Sequence, residues 1–210
     1  MGQNRSVRTS AVRSLTLVAV FLAPLFLGAC GGYHMITRDA KPADYAVKSK
    51  KATLIIMRST NWSGNIGTIN IGPGHIITNY LDKKMIGQTR GKSYFVTDVK
   101  PGTHYLMGQS ANTAVARLNF ESGKVYILQQ LVFPTLPFQN IPPTGFGPMT
   151  TEDFLKEIKD AEFLVYDAAH PGDDMTQKDF QEAKTDFEKE VKEDPARHKD
   201  TLNYRGTTKL

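Results

Sequence analysis

The middle of the chain, residues 50–133, is a succession of short segments rich in β-branched and aromatic residues. The segments recur roughly every 8 to 12 residues, and glycine or proline stands at most of the breaks between them. The segments that fit this description are 52–59, 67–72, 75–81, 94–99, 104–109, 114–120 and 124–133. This spacing is typical of antiparallel sandwiches and barrels, and the lack of helical patterns between the segments argues against a parallel sheet. We therefore predict a mainly β protein with C-terminal α structure, built on an antiparallel β-sandwich of about seven short strands.

The next region, residues 134–149, is rich in proline. Five prolines and two glycines lie between positions 134 and 148. Because proline cannot donate a hydrogen bond into a sheet, the sequence predicts an extended loop here. Its apolar residues, Phe138 and Phe146 among them, would either cover the core, which we favour, or form an exposed docking surface.

The C-terminal part, residues 150–194, carries two helical patterns with a short strand, 162–167, between them. Thr150, with Asp153 three residues later, resembles a capping box, and Thr176 is the expected N-cap of the second helix. The second helix has a narrow apolar stripe whose members step by three and four, namely Phe180, Ala183, Phe187 and Val191. Residues 195–210 are predicted to form a polar tail.

The chain begins with features of an export signal. Residues 1–13 contain three arginines and no acidic residue, an apolar run follows at 15–27, and two small residues precede Cys30, the single cysteine. This order is typical of a secretory signal peptide. The apolar run is shorter than the roughly 20 residues that a membrane-spanning helix needs. We therefore predict a signal peptide over residues 1–29.

The stretch LGAC, which ends at Cys30, resembles the lipobox of bacterial lipoproteins. The resemblance implies that the signal is cut before Cys30 and that acyl chains on this residue hold the protein in membrane lipid. Several chains give a firm anchor, since each buried methylene contributes about 0.8 kcal/mol. Gly31 replaces the aspartate that tends to retain such proteins in the inner membrane, so we expect an outer-membrane protein that faces the periplasm. Residues 30–49 are predicted to form a tether, part of which can dock on the domain.

Removal of residues 1–29 would change the charge of the protein. Of 210 residues, 181 would remain, a length that suits one domain with its own core. The loss of three arginines lowers the formal net charge from +5 to about +2, so the sequence pI of 9.2 does not indicate nucleic-acid binding. With Cys30 acylated, no thiol remains for a disulfide, and the fold must be held by its core.

The β region also carries a set of local motifs, the turns PG-x-H and E-x-G-K-x-Y and the pair YF. The residues in question are Gly87, Tyr94, Phe95, Pro101, Gly102, His104, Glu121, Gly123, Lys124 and Tyr126. In these motifs the stretch 51–133 is similar to the DUF2846 group of small bacterial envelope lipoproteins, and the PG-x-H turn also occurs in PEGA-type surface modules. Both resemblances imply a small β-sandwich in the cell envelope, and neither implies a known chemistry.

No segment carries a catalytic signature. The five histidines are His34, His75, His104, His170 and His198, and none has a partner at the close spacing of a zinc site. Asp173 and Asp174 could form a carboxylate pair for a cation, but acids at the start of a helix also stabilise its dipole. Trp62 lies in a predicted loop and could stack on a sugar ring or cap the core. We therefore predict no catalytic residue, metal or cofactor, and name only Cys30 for lipid attachment and Trp62 for ligand contact.

These observations favour a non-enzymatic, lipid-anchored binding or scaffolding module of the cell envelope, with an envelope protein or a glycan as its partner. One alternative is an envelope enzyme that acts on glycans or peptides, with a site in the loops around Trp62 and residues 134–148. This alternative requires that His75, His104, His170 or the acids at 173–174 converge in one pocket. A second alternative is an accessory factor whose proline-rich loop docks another envelope protein through exposed Phe138 and Phe146.

Overall fold

A computed structural model describes residues 33–40, 45–59, 76–110, 112–132 and 144–210. The predicted signal peptide and the predicted strand 67–72 lie outside these residues. The stretch Tyr33–Leu210 forms one compact unit. No helix within the described ranges has the length and apolar character needed to cross a membrane.

The described part of the chain contains two β-sheets. Its strands are β1 (Met35–Thr37), β2 (Ala52–Arg58), β3 (Ile77–Leu81), β4 (Lys84–Thr89), β5 (Ser93–Val99), β6 (Gly102–Gln109), β7 (Thr113–Phe120), β8 (Val125–Val132), β9 (Thr144–Pro148) and β10 (Glu162–Tyr166). One sheet has six strands in the order β1-β10-β5-β2-β8-β9, and the other has four in the order β4-β3-β6-β7. The prediction of a mainly β protein is confirmed.

The main hydrophobic core draws on both sheets. Leu54, Ile56 and Phe95 come from the six-stranded sheet, and they share a buried cluster with Leu106 and Leu118 from the four-stranded sheet. Burial of each such side chain contributes about 1.5–3 kcal/mol. Every second residue of these strands therefore faces this shared interior, as Leu54 and Ile56 do in β2.

The opposite face of the six-stranded sheet is also covered. Ile55 and Met57 of β2 pack there with Tyr94, Phe154 and Phe163 in a second buried cluster. All seven residues of β2 are buried, because both faces of this central strand are packed. This is why β2 reads as a continuous apolar run instead of an alternating one.

The sheets are not purely antiparallel, and our prediction is wrong on this point. Strand β2 pairs in parallel with β8, and β10 pairs in parallel with β5. The lack of helices between the strands does not exclude parallel pairing here. The chain leaves β2 through β3 and β4 of the other sheet, returns to the first sheet as β5, and leaves again through β6 and β7 before it reaches β8. Strands of the second sheet therefore supply the crossover that a helix supplies in βαβ units.

Part of the proline-rich region is also a strand, which corrects the predicted loop at residues 144–148. Strand β9 is antiparallel to β8, with Pro148 opposite Leu128. Met149 N donates to Ile127 O just beyond this pair. In antiparallel pairing the bonded residues alternate, so Pro148 falls at a position whose backbone nitrogen points away from β8. A proline at an edge strand therefore costs no hydrogen bond there.

Two further strands were not foreseen. Strand β4 follows β3 through a tight turn at Asp82, whose φ of 57° lies in the left-handed region. Strand β1 lies inside the predicted tether and pairs with β10, so residues 35–37 belong to the sheet.

The helices are α1 (Thr151–Glu157), continued by a 3-10 turn at Ile158–Asp160, then α2 (Gln177–Glu193) and α3 (Lys199–Leu202). The predicted N-caps are present: Thr150 Oγ1 accepts from Asp153 N, and Thr176 Oγ1 accepts from Asp179 N, each at 3.1 Å. Helix α3 lies in the predicted polar tail, which is therefore partly ordered into the fold.

Helix α2 packs on the four-stranded sheet through Tyr105 of β6. The Tyr105 ring meets Phe180 and Phe187 edge-on, with centroids 6.3 and 6.4 Å away. The Glu188 carboxylate accepts from Tyr105 Oη at 2.7 Å and from Arg117 Nη1 at 2.9 Å. Apolar and charged contacts thus fix the same stretch of the helix to β6 and β7.

This contact makes stability depend on pH. The hydrogen bond from Tyr105, together with the neighbouring Arg117 guanidinium, lowers the pKa of Glu188 below its usual 4.5. A lowered folded-state pKa contributes stability above pH 4.5, and this stability is lost as the pH falls through the folded-state pKa. We expect the parent protein to lose more unfolding free energy over that range than Glu188→Gln, measured by urea denaturation at several pH values.

The control is Glu193→Gln, which removes an exposed carboxylate from the last turn of the same helix. It should keep the pH dependence of the parent. Equal pH dependence in Glu188→Gln and the parent would contradict the assignment.

Candidate binding cleft

A cleft of about 710 Å³ opens between the edges of the two sheets and the C-terminal helices. Residues 113–115 of β7 and 144–148 of β9 form two of its walls. One face of α2 and the segment around α3 form the others, through Asp179, Glu182, Ala183, Asp186, Phe187, Glu190, Arg197, His198, Asp200 and Thr201. We call this space the cleft.

The two sheet edges are joined at one end of the cleft by Asn112. Its side-chain amide accepts from Thr144 N at 2.7 Å and donates to Thr144 O at 3.1 Å. An asparagine amide can satisfy a backbone N–H and C=O together in this way. Asn112 therefore pins the start of β9 beside the start of β7.

One wall of the cleft is acidic. Four carboxylates of α2 step by three and four residues, so they share one helix face, and α3 adds a fifth. The set is Asp179, Glu182, Asp186, Glu190 and Asp200. All five are exposed. Among the described residues that line the cleft, Arg197 is the single arginine or lysine, so this lining carries an excess of negative charge.

Some of these carboxylates have partners. Asp179 Oδ2 accepts from the N-cap hydroxyl of Thr176 at 2.7 Å. Glu190 lies 3.6 Å from Arg197 Nη1 and 3.3 Å from His198 Nε2. Glu182, Asp186 and Asp200 take part in no ion pair within the described part of the chain, and their charges face the open cleft.

The floor of the cleft is apolar. Phe187 is buried there, and the ring of His198, with its side chain 13% exposed, packs edge-on against it at 5.0 Å between centroids. Phe146 of β9 is half-buried and packs on the main core. Its ring occupies the space above Gly108, where a Cβ would lie 2.9 Å from Phe146 Cζ. The cleft thus combines an apolar floor with a charged rim.

Of the residues that the sequence singled out, Phe146 and His198 line the cleft. Cys30, Trp62, His75 and Phe138 fall outside the described residues. Phe146 lines the cleft but is half-buried against the core, which agrees with the covering role that we favoured for it.

The remaining candidates are occupied by contacts with the fold. His104 places Nδ1 2.9 Å from Asp82 Oδ2 and Nε2 3.0 Å from Lys100 O. His170 Nδ1 lies 2.8 Å from Asp167 Oδ2. Asp174 Oδ1 accepts from Met85 N at 2.9 Å and so ties the start of α2 to β4.

These candidates do not converge on the cleft. None of His104, His170, Asp173 and Asp174 is among its lining residues. Over the described ranges, no three His, Cys, Asp or Glu residues form a group that could hold a metal ion. Sequence reasoning missed the cleft. The spacing of the acidic residues in α2 was visible in the sequence, but the position of this helix opposite the edges of two sheets was not.

Comparison with known proteins gives no relative from which a role could be transferred. No family model, no curated protein and no solved structure matches the chain. The resemblances to the lipobox and to the DUF2846 group therefore stay predictions.

Proposed function

We propose that the protein is a lipid-anchored binding module of the cell envelope, held by acylated Cys30, whose cleft takes a basic, extended segment of a partner protein. The observation that carries the binding role is the acidic rim above an apolar floor. We also infer that the two sheets are the layers of a β-sandwich, which the core shared between them supports.

The dimensions of the rim suit a short peptide. Eleven residue-to-residue steps along the helix lead from Asp179 to Glu190, which corresponds to about 16 Å along the axis. An extended chain covers this distance in about five residues. Lysine and arginine side chains would reach the rim with their charged ends and lay their aliphatic stems on the floor.

Charge supplies the specificity of this interaction. Exposed ion pairs contribute only about 0–1 kcal/mol each, so a single lysine would bind weakly. Several carboxylates in one recess act together, speed association and exclude acidic partners. The expected affinity is therefore modest, falls with salt and depends on more than one carboxylate.

The binding role can be tested with a fluorescein-labelled pentalysine peptide by fluorescence anisotropy at low and physiological salt. The double variant Glu182→Gln/Asp186→Gln should weaken binding about tenfold, the effect of losing roughly 1.4 kcal/mol. The matched control, Glu152→Gln/Glu193→Gln, removes the same charge from exposed positions outside the cleft lining and should bind almost as the parent does. Equal weakening by both pairs would refute the cleft as the binding site.

The anchor is tested separately by fractionation of cells that express the full chain or Cys30→Ser. The parent should fractionate with membranes, and its mature amino-terminal peptide should carry acyl chains by mass spectrometry. A Cys30→Ser protein that stays wholly in the membrane fraction would refute lipid anchoring.

A further inference from the structure

We propose that the domain lies directly on the bilayer through the edge of the six-stranded sheet at β1, which we call the β1 edge and which includes Tyr33, Ile36, Arg90 and His170. The partner of this edge is the phospholipid headgroup layer. The inference rests on the proposed acylation of Cys30, and it adds the orientation that the anchor imposes.

The first described residues are part of the domain. His34 N donates to Gln88 Oε1 at 2.7 Å, and Asp167 N donates to His34 O at 2.9 Å. Met35 is buried in the main core, and Arg38 N donates to Phe163 O at 3.1 Å. Residues 34–38 are therefore bonded to the folded domain, with contacts to both sheets.

Tyr33 is held as well. Its ring packs on the main core, and the Arg90 guanidinium carbon lies 4.5 Å from the ring centroid. Burial raises the pKa of the Tyr33 hydroxyl to about 12, so this group stays neutral at physiological pH. The bonded part of the domain thus begins no later than Tyr33.

Only Gly31 and Gly32 separate Cys30 from Tyr33. Three peptide steps span at most about 11 Å, since an extended chain advances 3.3–3.6 Å per residue. The predicted tether of residues 30–49 would have allowed a reach of roughly 65 Å on the same measure. Because residues 33–38 are part of the folded domain, the tether consists of Gly31 and Gly32 only. The part of the domain around Tyr33 must therefore stay close to the acylated residue.

The exposed side chains at the β1 edge, which point to both faces of the sheet, suit a headgroup layer. Ile36 is 50% exposed, and the Arg90 side chain is 40% exposed although its Nε lies 3.5 Å from Glu162. The His170 side chain is 80% exposed, and His34 Nδ1 lies 2.8 Å from its carbonyl oxygen. Guanidinium groups bind phosphate in two-pronged fashion, and an exposed isoleucine gains from contact with the acyl boundary.

The orientation also explains where the cleft lies. Strands β1 and β9 are the two opposite edges of the six-stranded sheet, five strand intervals apart. At 4.7–4.9 Å per interval this separation is about 24 Å. A domain that rests on β1 therefore holds the cleft beside β9 away from the lipid, where it can receive a partner protein.

The test uses acylated protein in phosphatidylcholine vesicles that contain headgroup spin-labelled lipid. Two variants, Ile36→Cys and Glu182→Cys, replace exposed residues, and each is labelled with the same maleimide fluorophore. Because the Cys30 thiol is acylated, only the new cysteine reacts. The fluorophore at position 36 should be quenched severalfold more strongly than the one at position 182, and equal or reversed quenching would overturn the proposal.

A third variant tests the effect of tether length separately from the acylation of Cys30. An insert of about 20 glycine and serine residues between Gly32 and Tyr33 restores a long tether to Ile36→Cys. Quenching at position 36 should then fall towards the level at position 182, and undiminished quenching would overturn the role of the short tether. Mass spectrometry of each sample shows whether Cys30 is acylated, so a failure of the anchor, which would also remove this inference, is distinguished from a failure of the orientation.

Discussion

Gly206→Ala is expected to lower the free energy of unfolding by about 2–5 kcal/mol. Gly206 has a φ of +64°, and a Cβ there would lie 2.7 Å from the carbonyl oxygen of Val125. An L-residue in this conformation costs roughly 1–2 kcal/mol, and overpacking against backbone adds roughly 1–3 kcal/mol because the backbone cannot rotate away. The midpoint of urea denaturation should fall, with an unchanged m-value.

The structural role of Gly206 is to turn the C-terminal chain onto β8. Thr207 N donates to Val125 O at 2.7 Å, and Val125 N donates to Thr207 O at 2.8 Å. Ile127 N, two residues further along β8, donates to Tyr204 Oη at 3.1 Å. The tail therefore covers the part of β8 that β9 leaves unpaired, and displacing it would expose backbone groups of a core strand.

Gly123→Ala is the matched control for this prediction. Gly123 also has a positive φ, +73°, but a Cβ there would meet no atom within 4 Å. Its replacement should cost only the conformational part, about 1–2 kcal/mol. Equal losses in the two variants would show that the close contact with Val125 contributes nothing.

The tail also shows where local sequence reasoning ends. Residues 195–210 have no apolar period, and we predicted a polar tail. Thr207 is held by two backbone hydrogen bonds to Val125, about 80 residues earlier in the chain. Such bonds leave no periodic signal, because any residue type supplies the same N–H and C=O groups. Tyr204 is held by its side chain, whose hydroxyl accepts from Ile127 N and whose ring packs edge-on against Tyr126, and a single aromatic residue likewise makes no period.

Strands that pack by side-chain alternation were predictable. The segments placed over β2, β3, β5, β6, β7 and β8 agree with the structure, as do the helix caps at Thr150 and Thr176. In each case a side chain carries the signal, either by burial or by a local hydrogen bond. Strand β9, with the sequence TGFGP, has few side chains that favour a sheet and owes its conformation to its neighbour β8.

The cleft was only partly predictable from the sequence. The spacing of Asp179, Glu182, Asp186 and Glu190 was readable, and the usual interpretation of such a pattern is a solvated helix face. Its recess depends on β7 and β9, whose edges are brought together by pairing in two different sheets. A single sequence does not show such pairings, so the acidic residues could be seen and their common site could not.

Gln130→Met is expected to lower the free energy of unfolding by about 2–4 kcal/mol, because it leaves two buried polar groups without partners. Gln130 is 1% exposed. Thr89 Oγ1 donates to Gln130 Oε1, and Gln130 Nε2 donates to Asn79 Oδ1 at 2.9 Å. The three side chains are buried and join β8 of one sheet to β3 and β4 of the other.

Two comparisons separate the lost hydrogen bonds from a change of shape. Gln129→Met makes the same substitution one residue earlier, on the opposite face of β8, where the side chain is half-buried and donates to Ser59 Oγ at 3.2 Å. It should cost less than about 1 kcal/mol. The triple variant Gln130→Met/Thr89→Val/Asn79→Leu removes every polar member and should regain much of the loss, because an apolar set of similar shape leaves no group unpaired.

A triple variant that is less stable than Gln130→Met would contradict this account and would locate the cost in packing.

The expected recovery has a structural consequence. An apolar set would be tolerated at this point, so the polar network contributes little net stability and acts instead on how the sheets align. Gln130 lies beside Gly108 and Phe146, where the wall of the cleft meets the core. A shift in sheet alignment would therefore alter the separation of β7 and β9, and the triple variant should bind pentalysine more weakly than the parent although it folds.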